Sequence, residues 1–171
     1  MASDRIIQNA YYVSDLDTAI TRFHHIWGLG PFFVRRHIAL ENVAYRGEPS
    51  ELDISAAYTQ SGDIMIELVT QHNDAASTFR DRFNATESGF HHVALAFGDH
   101  DQQVQRFNAL GYASVTSFKT AEGRGATYLD TVAAVGHATE IYIVNDSLIE
   151  LYANVRNAAE NWNGQHLIID L

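Results

Sequence analysis

Cysteine is absent from all 171 residues, which removes disulfides, thiolate nucleophiles and thiolate metal ligands together. Basic residues are scarce: 11 lysines and arginines stand against 21 aspartates and glutamates, a formal charge of −10. A chain so acidic lacks the surface that neutralises phosphates, so nucleic acid is not an expected partner. No run approaches the roughly 20 apolar residues of a membrane span. The opening MASDRIIQNAYYV has no basic segment followed by a long apolar one, so no secretory signal and no membrane partner are expected. The cytoplasm is the default location. Glycine-rich phosphate loops of the Walker or dinucleotide type are missing too. Carboxylates, imidazoles and amides are left to carry the chemistry.

What is present is a globular composition, 46% hydrophobic, at a length suited to one domain or two half-size modules sharing a core. Two segments match: QNAYYVSDLDTAITRFHHIWGLG from Gln8 and HVALAFGDHDQQVQRFNALGYA from His92. Each reads as an apolar strand, an acidic turn, an amphipathic helix and a glycine. Asp15 and Asp99, each seven residues into its segment, stand where a helix N-cap is expected. Ile20, Phe23 and Trp27 recur at helical spacing, as do Val104, Phe107 and Leu110. Gly28 and Gly111 suit the helix C′ position. Further on, DIMIELVT (63–70) resembles DSLIELYA (146–153). Glu67 follows Gln8 by 59 residues (67 − 8) and Glu150 follows His92 by 58 (150 − 92). The sequence is therefore read as a duplication with a period near 84 (92 − 8),.

Residues 91 and 92 are both histidine, and neighbours on a strand face opposite sides. The repeat selects His92, the equivalent of Gln8, as the one sharing a face with Ala94 and Ala96; His91 should face away. Glu67 and Glu150 sit in strands read as apolar on both faces, where an unpaired carboxylate costs several kcal/mol. Those strands contain no lysine or arginine, so a divalent cation is the economical partner.

The pattern resembles the vicinal oxygen chelate superfamily, also called the glyoxalase/bleomycin-resistance/dioxygenase superfamily, over roughly residues 5–155. WGLGPFFV (27–34) is similar to a turn common in its glyoxalase-like and methylmalonyl-CoA-epimerase-like members. The resemblance implies an α+β fold of two tandem βαβββ modules forming an open cup-shaped mixed barrel. The first module is expected over 1–75, a linker over 76–88, and the second module with a C-terminal extension over 89–171. The last strand is placed at 148–153. It also implies one divalent metal in the cup, held by Gln8, Glu67, His92 and Glu150, a set similar to that of zinc glyoxalase I. Zinc is the first choice, and nickel, cobalt, manganese or magnesium also suit such ligands.

The expected activity is that of a metal-dependent lyase, isomerase or epimerase. It would remove a proton beside a metal-bound carbonyl or vicinal oxygens of a small, partly apolar molecule. Glu150 is the expected base and Glu67 the opposite acid or second base. Tyr12, Phe32, Tyr58, Phe118, Arg124, Tyr128 and Tyr152 are the expected substrate-lining residues. The alternatives are an extradiol-type dioxygenase, disfavoured by a glutamine at position 8, and an antibiotic- or small-molecule-binding member, disfavoured by the carboxylates. A homodimer is expected.

Overall fold

The chain, described from a computed structural model over residues 5–97 and 99–171, alternates strands and helices as its caps dictate. Strand β1 (Ile6–Tyr12) leads into helix α1 (Leu16–Trp27). Asp15 caps α1 by accepting from the Thr18 N–H at 2.8 Å, and Gly28 ends it in the left-handed region at φ 68°, its N–H donating to the His24 carbonyl,. Strands β2 (Phe32–Arg35), β3 (Leu40–Tyr45), β4 (Glu48–Pro49), β5 (Ile54–Ser61) and β6 (Ile64–Gln71) follow. The second half runs β7 (Gly89–Phe97), α2 (His100–Ala109), β8 (Ser114–Thr120), β9 (Gly125–Leu129), α3 (Val132–Val135), β10 (Ala138–Ile143), α4 (Asp146–Glu160) and β11 (Ile168–Asp170). Asp99 caps α2 through the Gln102 N–H.

All the strands join one mixed sheet, not closed into a barrel, in the order β11-β2-β5-β6-β1-β7-β10-β9-β8-β3-β4. The fold is α+β. Its centre is the antiparallel pair β1–β7, where Gln8 stands opposite Ala94 and Ala10 opposite His92. Exchanging Gln8 with His92 and Ala10 with Ala94 leaves that register unchanged. On the flanks, β6 runs parallel to β1 with Glu67 beside Ala10, and β10 runs parallel to β7 with Glu140 beside Ala94. Next outward, Tyr58 of β5 pairs with Glu67, and Tyr128 of β9 pairs with Glu140. The two halves are thus matched position for position.

One expectation is corrected. Residues 148–153 are not a strand but lie within α4. Asn145 caps that helix, accepting from the Leu148 N–H at 3.0 Å. Leu148 and Val155 recur at helical spacing and are buried, whereas Ile149 and Glu150 face water,. The shared IEL triplet carried no information about period. The last strand of the second half is β10, and α4 instead packs across β5.

The core has unequal parts. Leu16, Ala19 and Ile20 of α1 pack on Phe32, Val34, Ile66 and Leu68. A second cluster brings Phe79, from the segment between β6 and β7, against Tyr12 and Tyr128, with ring centroids 6.0 and 5.5 Å apart. Under α2 the cluster reduces to Leu129 and Ile141 with partly buried neighbours. No helix among the described residues is long and apolar enough to cross a membrane.

Candidate functional site

Parallel pairing on each side of the central strands carries three charged side chains to one point. Glu67, His92 and Glu140 offer donor atoms that all lie within 4.8 Å of one another, and all three residues are buried. His92 Nε2 is 3.1 Å from Glu140 Oε2 and 3.3 Å from Glu67 Oε2. Glu150, expected as ligand and base, is on the exposed face of α4, and Glu140 occupies the place assigned to it. The physical reason is register: Glu140 is to Ala94 what Glu67 is to Ala10. The interval from His92 to this register equivalent is 48 residues (140 − 92), against 59 from Gln8 to Glu67. A match of intervals at the sequence level therefore selected a glutamate that the fold places outside the buried group.

Gln8 is fully buried beside this group, and its orientation is fixed from both ends. Its Nε2 donates to Glu67 Oε2 at 2.7 Å, while its Oε1 accepts from the hydroxyls of Tyr142 (2.5 Å) and Tyr152 (2.7 Å). The amide oxygen, its only ligating atom, is thus occupied by two phenols, and the amide nitrogen serves to orient Glu67.

The adjacent histidines divide their work. His91 does not face away as strict alternation predicts: it is the extra residue of a β-bulge, where Ala10 pairs with His92 but Tyr11 with Phe90, so its ring packs 4.7 Å from that of Phe79 and its Nδ1 stands 2.8 Å from Nδ1 of His92,. His91 Nε2 is 3.0 Å from the Thr78 carbonyl, which can only accept. Nε2 of His91 therefore carries its proton and Nδ1 its lone pair, an assignment made from partners. Burial, then the neighbouring His92, holds the His91 pKa well below the usual histidine range, which agrees with a neutral ring. His92 consequently donates from Nδ1, and in its neutral form presents the Nε2 lone pair to the carboxylates. This is how an outer partner selects a metal-ready tautomer.

The electrostatics ask for more positive charge than one imidazole supplies. Burial works to lower the His92 pKa, but the charge and hydrogen bond of Glu140, joined by those of Glu67, push it up to about 9. Burial raises Glu67, against the hydrogen bond from His92, and the Glu140 charge raises it further. Two buried carboxylates and one imidazole of fixed tautomer make a donor set that fits a divalent cation of hard-to-borderline character.

An open cup lies over this group, and Glu67 and Glu140 line it together with Tyr58, Phe118, Tyr128 and Tyr152. Burial, then the charges of the two glutamates, raises the pKa of Tyr58 and Tyr128 well above the usual value, so both remain O–H donors. Leu148 and Leu151 of α4 close one side. Arg124 lines the cup as expected, and Arg35, which sequence reasoning missed, joins it. Glu122 lies 3.1 Å from Arg35 and 3.5 Å from Arg124, and Arg124 Nε is buried without a partner. Tyr12 and Phe32 do not line the cup. Tyr12 is core, its hydroxyl held by Arg80, and Phe32 packs under α1.

Glu140, Tyr142 and His91 were also missed. A signal for Glu140 existed in its tyrosine: Tyr58 precedes Glu67 by 9 residues and Tyr128 precedes Glu140 by 12. Each pair is a hairpin, and the second is longer because its connection contains α3.

A family model described as the Glyoxalase/Bleomycin resistance protein/Dioxygenase superfamily matches residues 7–128. That is well over half of the chain, and the chain belongs to this superfamily. Methylmalonyl-CoA epimerase from Mycobacterium tuberculosis is similar at 16% identity and a TM-score of 0.55, over 88% of this chain and 96% of its own. A hypothetical protein from Bacillus halodurans C-125 is similar at 15% identity and a TM-score of 0.57, over 84% and 96%. A further methylmalonyl-CoA epimerase gives 15% and 0.50, over 80% and 92%. No curated protein sequence matches the chain.

Proposed function

We propose that the protein is a metal-dependent isomerase or epimerase that moves a proton on a carbon next to a carbonyl or to vicinal oxygens. The observation that carries this reading is the placement of Glu67 and Glu140 on either side of one buried imidazole, at the base of a largely apolar cup. Glu67, His92 and Glu140 would hold one divalent ion, zinc in the first instance. When bound, such an ion supplies Lewis-acid polarisation of the substrate oxygens.

The chain's own residues do the rest. One glutamate oxygen takes the proton from carbon, and the second carboxylate serves the opposite face and returns a proton there. Gln8 holds Glu67 in place, itself held by Tyr142 and Tyr152. Tyr58 and Tyr128, kept protonated, donate toward charge that develops on substrate oxygen. Arg35 and Arg124 orient a substrate anion, most simply a carboxylate, because their local counter-charge is the single Glu122,. Methylmalonyl-CoA epimerases share this fold, so the scaffold is compatible with such chemistry. Cytoplasmic location and a homodimer belong to the same reading.

The test is solvent isotope exchange. Zinc-loaded protein in deuterium oxide, given small carboxylate-bearing carbonyl compounds, should wash the acidic C–H out of one of them. Glu67→Gln and Glu140→Gln should each suppress the exchange. A compound that binds in the cup with no exchange under any metal would instead identify a binding protein.

A further inference from the structure

The fold assembles a second group of metal-ligating side chains on its surface, away from the cup. His37 lies in the turn after β2, Asp53 just before β5 and His72 just after β6. They are far apart in sequence, and sheet pairing alone brings them together. The His72 N–H donates to the Asp53 carbonyl at 2.8 Å, and the His37 N–H donates to Ser55 Oγ at 2.9 Å. His37 Nδ1 stands 2.9 and 3.1 Å from the two Asp53 carboxylate oxygens. The His37 and His72 rings stack with centroids 4.2 Å apart and planes inclined by 29°. One donor atom from each of the three residues lies within 4.8 Å of the others.

We propose that His37, Asp53 and His72 form a second divalent-metal site, selective for a borderline ion such as zinc, nickel or cobalt. Two nitrogens and one carboxylate oxygen suit those ions, whereas calcium and magnesium prefer all-oxygen shells. Face-to-face stacking is unfavourable for two imidazolium cations, so at least one ring is neutral, the form that ligates. Ser55 Oγ, 2.7 Å from His72 Nε2, fixes the orientation of that ring,. His37 is held at φ 47°, in the left-handed region that few non-glycine residues occupy,.

Of the cations close by, Arg36 is engaged by Asp17 at 2.7 and 3.2 Å and approaches Asp170 at 3.7 Å, and Arg80 is spent on the Gln71 and Asn73 carbonyls at 3.0 and 3.2 Å. The His37 and Asp53 side chains are 64% and 42% exposed, leaving room for waters to complete the shell. The position matters for the cup, because Arg35 and Ile38 on either side of His37 line it. An ion here ties the turn that carries them to the ends of β5 and β6.

The site is tested by equilibrium dialysis of the whole chain against zinc chloride. The wild type should retain one more zinc per chain than the His37→Ala, His72→Ala double variant. Asp53→Asn should weaken that ion by about tenfold or more. Zinc should also shift the ring NMR signals of His37 and His72 together in the wild type. Equal zinc content in wild type and double variant, or ring signals that do not move together, would overturn the proposal. Because the site is scored as a difference, a cup that took no metal would still leave one ion against none.

Discussion

The first half of the sheet presents an amide, Gln8, where the second presents an imidazole, His92, although everything around the two is paired. Each stands on a central strand, each neighbours a glutamate on the parallel strand beside it, and each glutamate has a tyrosine across the next ladder. The supports differ. His91, at a β-bulge beside it, fixes the tautomer of His92, whereas Tyr142 and Tyr152, both from the second half, fix the amide of Gln8. One half supplies an imidazole nitrogen to the buried group, and the other supplies the amide that orients one of its carboxylates. Two halves matched in register thus carry different side chains at equivalent central positions.

That asymmetry is open to direct attack. The largest contrast is expected between His92→Ala and Gln8→Ala. The first should lose central zinc affinity by on the order of 10³-fold, since a ligand disappears, and the second by about 10–100-fold, as for an outer partner. Isothermal titration with zinc measures both, and equal losses would make Gln8 a ligand after all. Next come the glutamates. Glu140→Gln and Glu67→Gln should each slow proton exchange by about 10²–10⁴-fold, whereas Glu150→Gln, on the exposed face of α4, should leave the rate within about twofold. An inactive Glu150→Gln would restore the pairing suggested by the IEL triplets.

His91→Phe keeps the ring volume but removes the lone pair that receives the His92 proton, and should cost about 10–100-fold in zinc affinity without unfolding the chain. The pH dependence follows from the same pair. With the His92 pKa at about 9 in the metal-free protein, an ion must displace a proton at neutral pH. Apparent zinc affinity should therefore rise by about tenfold per pH unit from 6 to 8 and level off near 9. For metal-free protein the sign is opposite. His92 is raised above its unfolded value, so the stability it contributes is full below about 6.5 and is lost as pH rises through about 9,. Chemical denaturation across that range reads it. The smallest effect should be Tyr142→Phe, where Tyr152 still donates to Gln8: about fivefold in exchange rate, the size of one hydrogen bond near 1 kcal/mol.

The parts of this arrangement visible in the sequence are the local ones. Alternation along β1 set Gln8, Ala10 and Tyr12 on one face, and the Asp15 and Asp99 caps marked where two helices begin. Gln8, Glu67 and His92 could be picked out because they sit in or beside those repeated strand–turn–helix units. Glu140 could not, because its equivalence to Glu67 resides in ladder register across β7 and β10, and the intervals along the chain differ by eleven residues (59 − 48). Residues 148–153 misled for the complementary reason. Six residues of mixed apolar character fit either period, and only the Asn145 cap and Val155 beyond them decide for a helix. His37, Asp53 and His72 were invisible because three separate strand ends have to meet before they become a group.

The exchange of Glu150 for Glu140 as third ligand is tested most directly by anomalous diffraction at the zinc edge from crystals grown with zinc. A peak is predicted in the cup at about 2.0–2.2 Å from His92 Nε2 and from one oxygen each of Glu67 and Glu140. The Glu150 carboxylate should face solvent from α4. A zinc ion in the cup bound without Glu140, or no zinc between Glu67 and His92 at saturating metal, would contradict it.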